Sequence, residues 1–202
     1  MKIFCVGRNY AEHAKELNNA IPDAPVIFMK PSTALLKGKD FYLPAFSQDM
    51  HYECELVYRI CKNGKHIDEK FASGYIDGIT VGIDFTARDL QQNQKTKGLP
   101  WEIAKSFDNS AVVGEFVATS TLKNPSQIQF RLLKNNEQVQ AGTSTEMIFP
   151  ITKLISYLSA FFTLQQGDLI YTGTPAGVGA VKIGDILEGY LENEKKFEIL
   201  VK

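Results

Sequence analysis

The sequence predicts a mostly β protein with few helices, an α+β fold in which short strands form a barrel or sandwich and helices lie at its margin. Nine segments rich in Val, Ile, Phe and Tyr are bounded by Gly, Pro, Asn or Asp, as strands are. Helical signals are fewer. The strand-like segments are residues 2–6, 26–30, 52–61, 79–85, 114–118, 128–134, 168–172, 185–191 and 196–201.

Three segments carry helical patterns. Residues 10–18 place alanines and charges at helical spacing, and residues 86–96 are polar and lack Gly and Pro. Residues 150–160 build one apolar stripe from Ile and Leu at spacings of 3, 1 and 3. Two turns, NGK at 63–65 and NNE at 135–137, are predicted to connect hairpins.

Composition limits the classes of function. The 202 residues are 44% hydrophobic and 22% charged, as in a globular protein, and they fit one domain over residues 1–202. A net charge of −1 leaves no basic stripe for phosphates, so nucleic acid is not an expected partner. No apolar run reaches the roughly 20 residues of a membrane helix, so neither a membrane partner nor a signal peptide is expected.

The three cysteines, Cys5, Cys54 and Cys61, lack C-x-x-C spacing and do not form a disulfide framework. We interpret them as free thiols of a reducing compartment. Together with the absence of a signal peptide, they favour a cytoplasmic location.

The segment HYECEL contains two carboxylates on one face of a strand. Side chains alternate along a strand, so Glu53 and Glu55 point the same way, while Tyr52, Cys54 and Leu56 point into a core. Two carboxylates in an apolar context repel each other unless a cation lies between them. The E-x-E pattern alone is also common on exposed strands, where water would suffice.

A third carboxylate ends a second apolar strand, ITVGIDF. A buried Asp84 requires a base, hydrogen bonds or a metal. Because no His or Cys is placed so as to suggest a zinc site, carboxylate ligation by Glu53, Glu55 and Asp84 favours Mg²⁺, Mn²⁺ or Ca²⁺ over zinc.

The segment after Asp84, TARDLQQ, offers substrate contacts. On a helix, Asp84, Arg88 and Gln91 share one face, and Arg88 could bind a substrate carboxylate beside the metal. The alternative is that Arg88 pairs with Asp84 or Asp89. Lys105 lies among apolar and small residues and is either a substrate-facing ammonium or a solvated lysine.

A glycine-rich turn, TGTPAGVG, follows an apolar strand at residues 172–179. Its backbone N–H groups, with the hydroxyl of Thr174, could hold an anion. It matches neither the dinucleotide fingerprint nor the Walker loop.

His13 and Glu16 are neighbours if their segment is a helix. A carboxylate beside an imidazole orients it as a general base. Spacing alone favours a solvated surface helix instead, since Glu12, Lys15 and Asn18 are polar too.

Six motifs in order give the chain a close resemblance to the fumarylacetoacetate hydrolase (FAH) family, especially its short acylpyruvase and oxaloacetate decarboxylase members. The motifs are GRNYAEHAKEL, FMKPST, HYECEL, DFTARDLQ, KGLPWEIAKSFD and GDLIYTGTPAGVG. The resemblance implies the FAH fold, a mixed β-sandwich or roll with a short N-terminal lid helix, and a homodimer.

The resemblance also implies roles for the residues above. Glu53, Glu55 and Asp84 would bind Mg²⁺ or Mn²⁺; His13, Glu16 and Lys105 would be catalytic. The residues expected to surround a bound 2-oxo acid are Arg88, Gln91, Thr174 and Gly173.

The reaction implied is metal-dependent hydrolysis of a C–C bond in 3-acylpyruvates, with possible decarboxylation of oxaloacetate, through an enolate that the metal stabilises. One alternative is an isomerase, hydratase or tautomerase of unsaturated or oxo dioic acids. Another is a non-catalytic β domain that binds a cation.

Overall fold

A computed structural model describes residues 1–16 and 20–202, which form fifteen strands and four α-helices. The helices are α1 (Ala11–Glu16), α2 (Arg88–Lys97), α3 (Glu102–Lys105) and α4 (Ile151–Phe161). The strands of the first half are β1 (Ile3–Gly7), β2 (Val26–Lys30), β3 (Asp40–Phe41), β4 (Met50–Tyr52), β5 (Cys54–Ile60), β6 (Ile76–Asp84) and β7 (Thr86–Ala87). Those of the second half are β8 (Ala111–Val113), β9 (Val117–Ala118), β10 (Gln129–Lys134), β11 (Glu137–Thr143), β12 (Leu169–Tyr171), β13 (Gly179–Ala180), β14 (Ile186–Leu191) and β15 (Glu194–Val201).

Three sheets organise these strands. The largest has the order β2-β1-β12-β5-β6-β8, with β9 also paired to β6. A five-stranded sheet has the order β11-β10-β14-β15-β3, and a small one joins β13, β4 and β7. Both larger sheets are mixed, because β1 runs parallel to β12 and β15 runs parallel to β3. This curled, mostly β architecture confirms the predicted fold class.

The main core lies between the two larger sheets. Leu56 and Val81 from the first sheet belong to one apolar cluster with Leu132, Leu187 and Ile199 from the second. Alternation along β5 and β6 therefore turns every second side chain into this core, and the residues between face the other way.

Helix α4 covers the opposite face of the large sheet. Its Leu154, Ile155 and Leu158 are buried against Phe4 and Ile170 of the sheet. The apolar stripe predicted over residues 150–160 is thereby confirmed, and it begins directly after Pro150, a residue suited to the start of a helix.

The two predicted hairpin turns have different outcomes. The NNE turn is confirmed, since Asn135 and Asn136 have left-handed φ angles of 53° and 68° between the paired strands β10 and β11. Such angles belong to the type I′ turn. The NGK turn is wrong: a 3₁₀ segment, Glu69–Tyr75, separates β5 from β6, and Gly64 bridges to Leu164 instead.

The polar helix starts later than predicted. Thr86–Ala87 first pairs with β4, so α2 begins at Arg88 rather than at residue 86. The helix predicted over residues 10–18 is described as far as Glu16, and its remainder lies outside the described residues. Among the residues described, no helix has the length and apolar character needed to cross a membrane.

Candidate active site

Three carboxylates meet where β5 and β6 run side by side. Glu53 directly precedes β5, Glu55 lies within it, and Asp84 ends β6. The Asp84 N–H donates to the Glu53 carbonyl at 2.8 Å, which fixes the register of the two strand ends. All three carboxylates are buried, and one oxygen of each lies within 4.8 Å of the others.

Two lysines and the carboxylates form a buried ionic cluster. The Lys105 Nζ donates to Glu53 Oε2 and Asp84 Oδ2, both at 2.7 Å, and to the Thr86 hydroxyl at 2.6 Å. The Lys30 Nζ lies 2.7 Å from the other Asp84 oxygen, Oδ1. Both lysine side chains are almost fully enclosed. Two ammonium groups therefore hold Asp84 from opposite sides.

Arg88 places a second positive charge beside Glu53, in addition to that of Lys105. Its Nη2 donates to Glu53 Oε1 at 2.6 Å, and its Nη1 donates to Gln91 Oε1 at 2.7 Å. The alternative that Arg88 pairs with Asp84 or Asp89 is wrong. Asp89 instead accepts hydrogen bonds from the Ser47 hydroxyl at 2.7 Å and the Gln48 N–H at 2.9 Å.

The surroundings shift the pKa values of Glu53 and Glu55 in opposite directions. Burial alone would raise the pKa of Glu53, but Lys105 and Arg88 outweigh burial and hold this pKa far below its usual range. Burial, reinforced by Asp84 and then Glu53, raises the pKa of Glu55 well above 4.5. For Lys105, burial is outweighed by Asp84 and Glu53, which raise its pKa.

Of the three carboxylates, Glu55 is the one without an ion pair among the residues that the structure describes. Its Oε2 accepts one neutral hydrogen bond, from the Gly173 N–H at 2.7 Å. A divalent cation among the carboxylates would supply the charge that Glu55 lacks. The donor set is all oxygen, which suits a hard cation, so the residues fit the predicted metal.

The glycine-rich turn packs against the same strand. Gly173 has a φ of 97°, and a Cβ there would lie 2.8 Å from the Asn9 Cβ, so both conformation and space require glycine. The Thr174 hydroxyl donates to the Cys54 carbonyl at 2.8 Å. The backbone N–H groups of the turn therefore bind the protein's own carboxyl groups, Glu55 at Gly173 and Glu16 at Gly177, and Thr174 lines the cleft beside them.

The Gln140 side chain links the glycine-rich turn to strand β5 through hydrogen bonds. Its Oε1 accepts the Cys54 N–H at 2.9 Å, and its Nε2 donates to the Thr174 hydroxyl at 2.8 Å and the Pro175 carbonyl at 3.0 Å. The side chain is buried. It lies on β11, whose polar sequence EQVQAGT gives no strand pattern, and sequence reasoning missed both the strand and the residue.

Helix α1 brings His13 to the cleft. The His13 Nδ1 lies 3.0 Å from Glu16 Oε2, and Glu16 Oε1 accepts the Gly177 N–H at 3.1 Å. With Glu16 ionised, Nδ1 carries the proton and the other ring nitrogen, Nε2, carries the lone pair. His13 is buried and lines the cleft with the three carboxylates, which disagrees with the solvated helix that spacing alone favoured.

The structure brings the predicted residues together. Glu53, Glu55, Asp84, His13, Arg88, Gln91, Lys105 and Thr174 line one cleft, while Glu16 and Gly173 support it through His13 and Glu55. Sequence reasoning missed Lys30, although a lysine that ends an apolar strand, VIFMK, is a signal for a buried ion pair. It also missed Arg8, Lys95 and Trp101, which line the same cleft.

Comparison with known proteins identifies the chain. Residues 2–198 match the family described as fumarylacetoacetate (FAA) hydrolase C-terminal. The chain belongs to the fumarylacetoacetate hydrolase family. The resemblance carried by its motifs is thereby confirmed over nearly the whole chain.

Relatives within the family are enzymes of small oxo acids. The mitochondrial oxaloacetate tautomerase of Mus musculus is 42% identical, over 99% of this chain and 91% of its own length. The mitochondrial oxaloacetate decarboxylase of Dictyostelium discoideum is 40% identical, over 100% and 94%. The prediction of an enzyme is confirmed, and the non-catalytic alternative is not supported.

A solved structure in the family shares the fold and was determined with a divalent cation bound. Fumarylpyruvate hydrolase from Pseudomonas aeruginosa, crystallised with Mn²⁺ and pyruvate, is 36% identical with a TM-score of 0.94, covering 100% of this chain and 89% of its own. That relative binds a divalent cation, and this chain carries a buried acidic triad.

Proposed function

We propose that residues 1–202 form one catalytic domain that hydrolyses a C–C bond of 3-acylpyruvates in a metal-dependent reaction and also acts on oxaloacetate. The observation that carries the proposal is the buried Glu53–Glu55–Asp84 cluster facing the same cleft as the His13–Glu16 pair. The named activities of the relatives, on oxaloacetate and fumarylpyruvate, support the substrate class.

We assign Glu53, Glu55 and Asp84 as ligands of Mg²⁺ or Mn²⁺. The bound cation would supply Lewis-acid stabilisation of the negative charge that develops on a 2-oxo acid during cleavage. The relative that contains Mn²⁺ supports this choice of metals.

His13 is the proposed general base. Glu16 Oε2 lies 3.0 Å from Nδ1, where it can accept a hydrogen bond from a protonated Nδ1 and leave the Nε2 lone pair free to take a proton from water in the cleft. Glu16 is itself held by the Gly177 N–H, so the carboxylate fixes helix α1 over the cleft as well as orienting the ring. Closure of this helix would exclude bulk water and strengthen the electrostatic contacts inside.

Lys105 and Arg88 are the proposed contacts for substrate charge. Their cationic groups lie at the carboxylate cluster, where each already neutralises Glu53, and both face the cleft. Gln91 holds the guanidinium at 2.7 Å and can contact substrate beside it. Thr174, which lines the cleft, and Gly173, which donates its N–H to Glu55, are also assigned to substrate binding.

A substrate screen tests the proposal. Oxaloacetate, acetylpyruvate and fumarylpyruvate are incubated with the protein and Mg²⁺ or Mn²⁺, with thoroughly chelated protein as the control. We expect turnover that requires the metal and is abolished in Glu53→Ala. Full activity after chelation would reject the metal-dependent mechanism.

The water-activating role of His13 has its own test. His13→Ala should lower acylpyruvate hydrolysis by a factor on the order of 10²–10⁴, the range for general-base catalysis. Reactions of oxaloacetate that need no attacking water should be spared. Equal loss of both activities would count against this role.

Oxaloacetate tautomerisation is the second candidate function. It is favoured by the 42% identity to a protein of that name, which covers nearly the whole chain. Direct measurement of keto–enol exchange in oxaloacetate, beside the hydrolysis assay, separates the two functions.

We propose a homodimer as the assembled form. Two large apolar side chains, Phe46 and Ile103, are 51% and 64% exposed on one surface that also includes Leu90 and Phe107. Exposed apolar patches of this kind mark association surfaces. Light scattering should give the mass of a dimer for the parent protein and a monomer for Ile103→Glu.

We propose a cytoplasmic location. All three thiols are free, as in a reducing compartment, whereas the relatives from Mus musculus and Dictyostelium discoideum are mitochondrial proteins. Fractionation of the source cells, with immunodetection of the protein, distinguishes the compartments.

A further inference from the structure

Two cationic side chains in the cleft have no part in the carboxylate cluster. Arg8 and Lys95 line the cleft beside Arg88 and Lys105. Arg88 and Lys105 are engaged by Glu53 and Asp84, whereas Arg8 and Lys95 have no carboxylate partner among residues 1–16 and 20–202. The Arg8 Nε is buried and lacks any hydrogen-bond partner in that part of the chain.

The backbone around Arg8 is held in place by its neighbour. Arg8 has a left-handed φ of 61°, an uncommon conformation for a residue other than glycine. The fully buried Asn9 clamps the segment: its side chain donates to the carbonyls of Phe149 and Thr172 and accepts the Phe149 N–H, at 2.8 to 3.0 Å. A strained conformation kept by three hydrogen bonds is typical of functional sites.

Lys95 reaches the cleft from helix α2. Arg88, Gln91 and Lys95 are spaced i, i+3 and i+7, so they share one face of the helix, and all three line the cleft. The Lys95 ammonium lies 5.8 Å from the centre of the Trp101 ring, which forms an apolar wall. The lysine is therefore partly withdrawn from water.

These cations repel one another. Burial lowers the pKa of Lys95, and the positive charges of Arg8 and then Arg88 lower it further. An anion between Arg8 and Lys95 would relieve this repulsion. The three carboxylates of the cleft are committed to the lysines, to Arg88 and to the metal they would bind, so the anion has to come from a ligand.

We infer that Arg8 and Lys95 bind the second carboxylate of a dicarboxylic 2-oxo acid, which makes the enzyme selective for diacids over monoacids. This assignment rests on the proposed function, in which the first carboxylate and the oxo group occupy the metal end of the cleft. The Arg8 guanidinium can donate a forked pair of hydrogen bonds to a carboxylate, and Lys95 adds a point charge.

Equilibrium binding of two matched ligands tests the assignment. 2-Oxoglutarate and 2-oxopentanoate have the same chain length and differ only in the distal carboxylate. Each is titrated calorimetrically into Mn²⁺-loaded protein, for the parent, Arg8→Gln, Lys95→Gln and the control Lys97→Gln. Lys97 lies on the same helix but is exposed and outside the cleft.

We expect the parent to bind the diacid at least tenfold more tightly than the monoacid. Arg8→Gln and Lys95→Gln should each weaken diacid binding about tenfold, equivalent to about 1.4 kcal/mol, and monoacid binding less than twofold. Lys97→Gln should change neither. Turnover should follow the same pattern, with KM for oxaloacetate raised in both variants and KM for acetylpyruvate unchanged.

Three outcomes would overturn the inference. Equal affinity of the parent for the two ligands, or equal loss of both ligands in the variants, rejects the diacid assignment while leaving the proposed function intact. Binding of neither ligand to the metal-loaded parent rejects both. Thermal melts verify that each variant is folded, and Lys95→Gln alone decides if Arg8→Gln does not fold.

Discussion

Replacing Glu55 by glutamine should stabilise the metal-free protein while abolishing its response to metal. The substitution keeps the shape and the acceptor for the Gly173 N–H but removes the carboxylate of the triad that has no ion pair in the described part of the chain. At separations below 4.8 Å, two carboxylates repel by roughly 3 kcal/mol even at an effective dielectric constant of about 20. Glutamine removes that repulsion and can donate to Glu53 and Asp84.

The difference in unfolding free energy between Glu55→Gln and the parent protein should depend on pH. Burial and the neighbouring carboxylates raise the pKa of Glu55 well above 4.5. Between pH 4.5 and the raised value, the folded state keeps a proton that the unfolded chain releases, so stability falls as pH rises. The slope is up to about 1.4 kcal/mol per pH unit. Between pH 5.5 and 7.5, the advantage of Glu55→Gln over the parent should therefore grow by up to about 3 kcal/mol.

Urea unfolding in the presence of a chelator measures this advantage at both pH values. The control is Glu53→Gln, which should destabilise the protein, since Lys105 and Arg88 then lose their shared partner. Added Mn²⁺ should raise the midpoint of the parent but not that of Glu55→Gln. If Glu55→Gln is less stable than the parent at pH 7.5, or if its advantage does not change with pH, the account of the triad is refuted.

Three further substitutions probe the support around the site. Lys30→Met removes one ammonium from buried Asp84 and should cost about 3–5 kcal/mol of unfolding free energy without metal, part of which Mn²⁺ restores; no loss would show that the pair is dispensable. Gln140→Leu should cost about 1–3 kcal/mol and lower kcat, because it frees the Thr174 turn; an unchanged kcat would limit Gln140 to stability. Asn136→Gly should stabilise by about 0.5 kcal/mol, since its φ is 68°, and a lower melting temperature would contradict that account.

The carboxylates were predictable because strand alternation is a local rule. Glu53 and Glu55 on one face of an apolar strand, with Asp84 ending another, required only that β5 and β6 be neighbours. The NNE hairpin was predictable for the same reason, because a turn between two strands involves few residues. In each of these cases, the residues that form the feature belong to the short sequence pattern that predicts it.

The supporting contacts were not predictable, because they join distant parts of the chain. Lys30 and Asp84 are paired across 54 positions of sequence, and Gln140 meets Cys54 across 86. The NGK hairpin was predicted wrongly for the same reason. Gly64 bridges to Leu164, a distant partner that no local sequence pattern indicates. Spacing favoured a solvated helix for His13 because the cleft that buries it is built from strands elsewhere in the sequence.

The distribution of cations along the cleft bears on which reaction of oxaloacetate the site favours. Loss of CO₂ requires the distal carboxylate to give up its negative charge, whereas tautomerisation leaves that charge in place. Arg8 and Lys95 on that carboxylate would stabilise the charged ground state and so raise the barrier to CO₂ loss. Lys105 and Arg88, at the metal end, would instead stabilise the charge that develops at the oxo group in either reaction. A cleft with cations at both ends is therefore better suited to the proton transfer of tautomerisation and to hydrolysis of a C–C bond of an acylpyruvate than to decarboxylation.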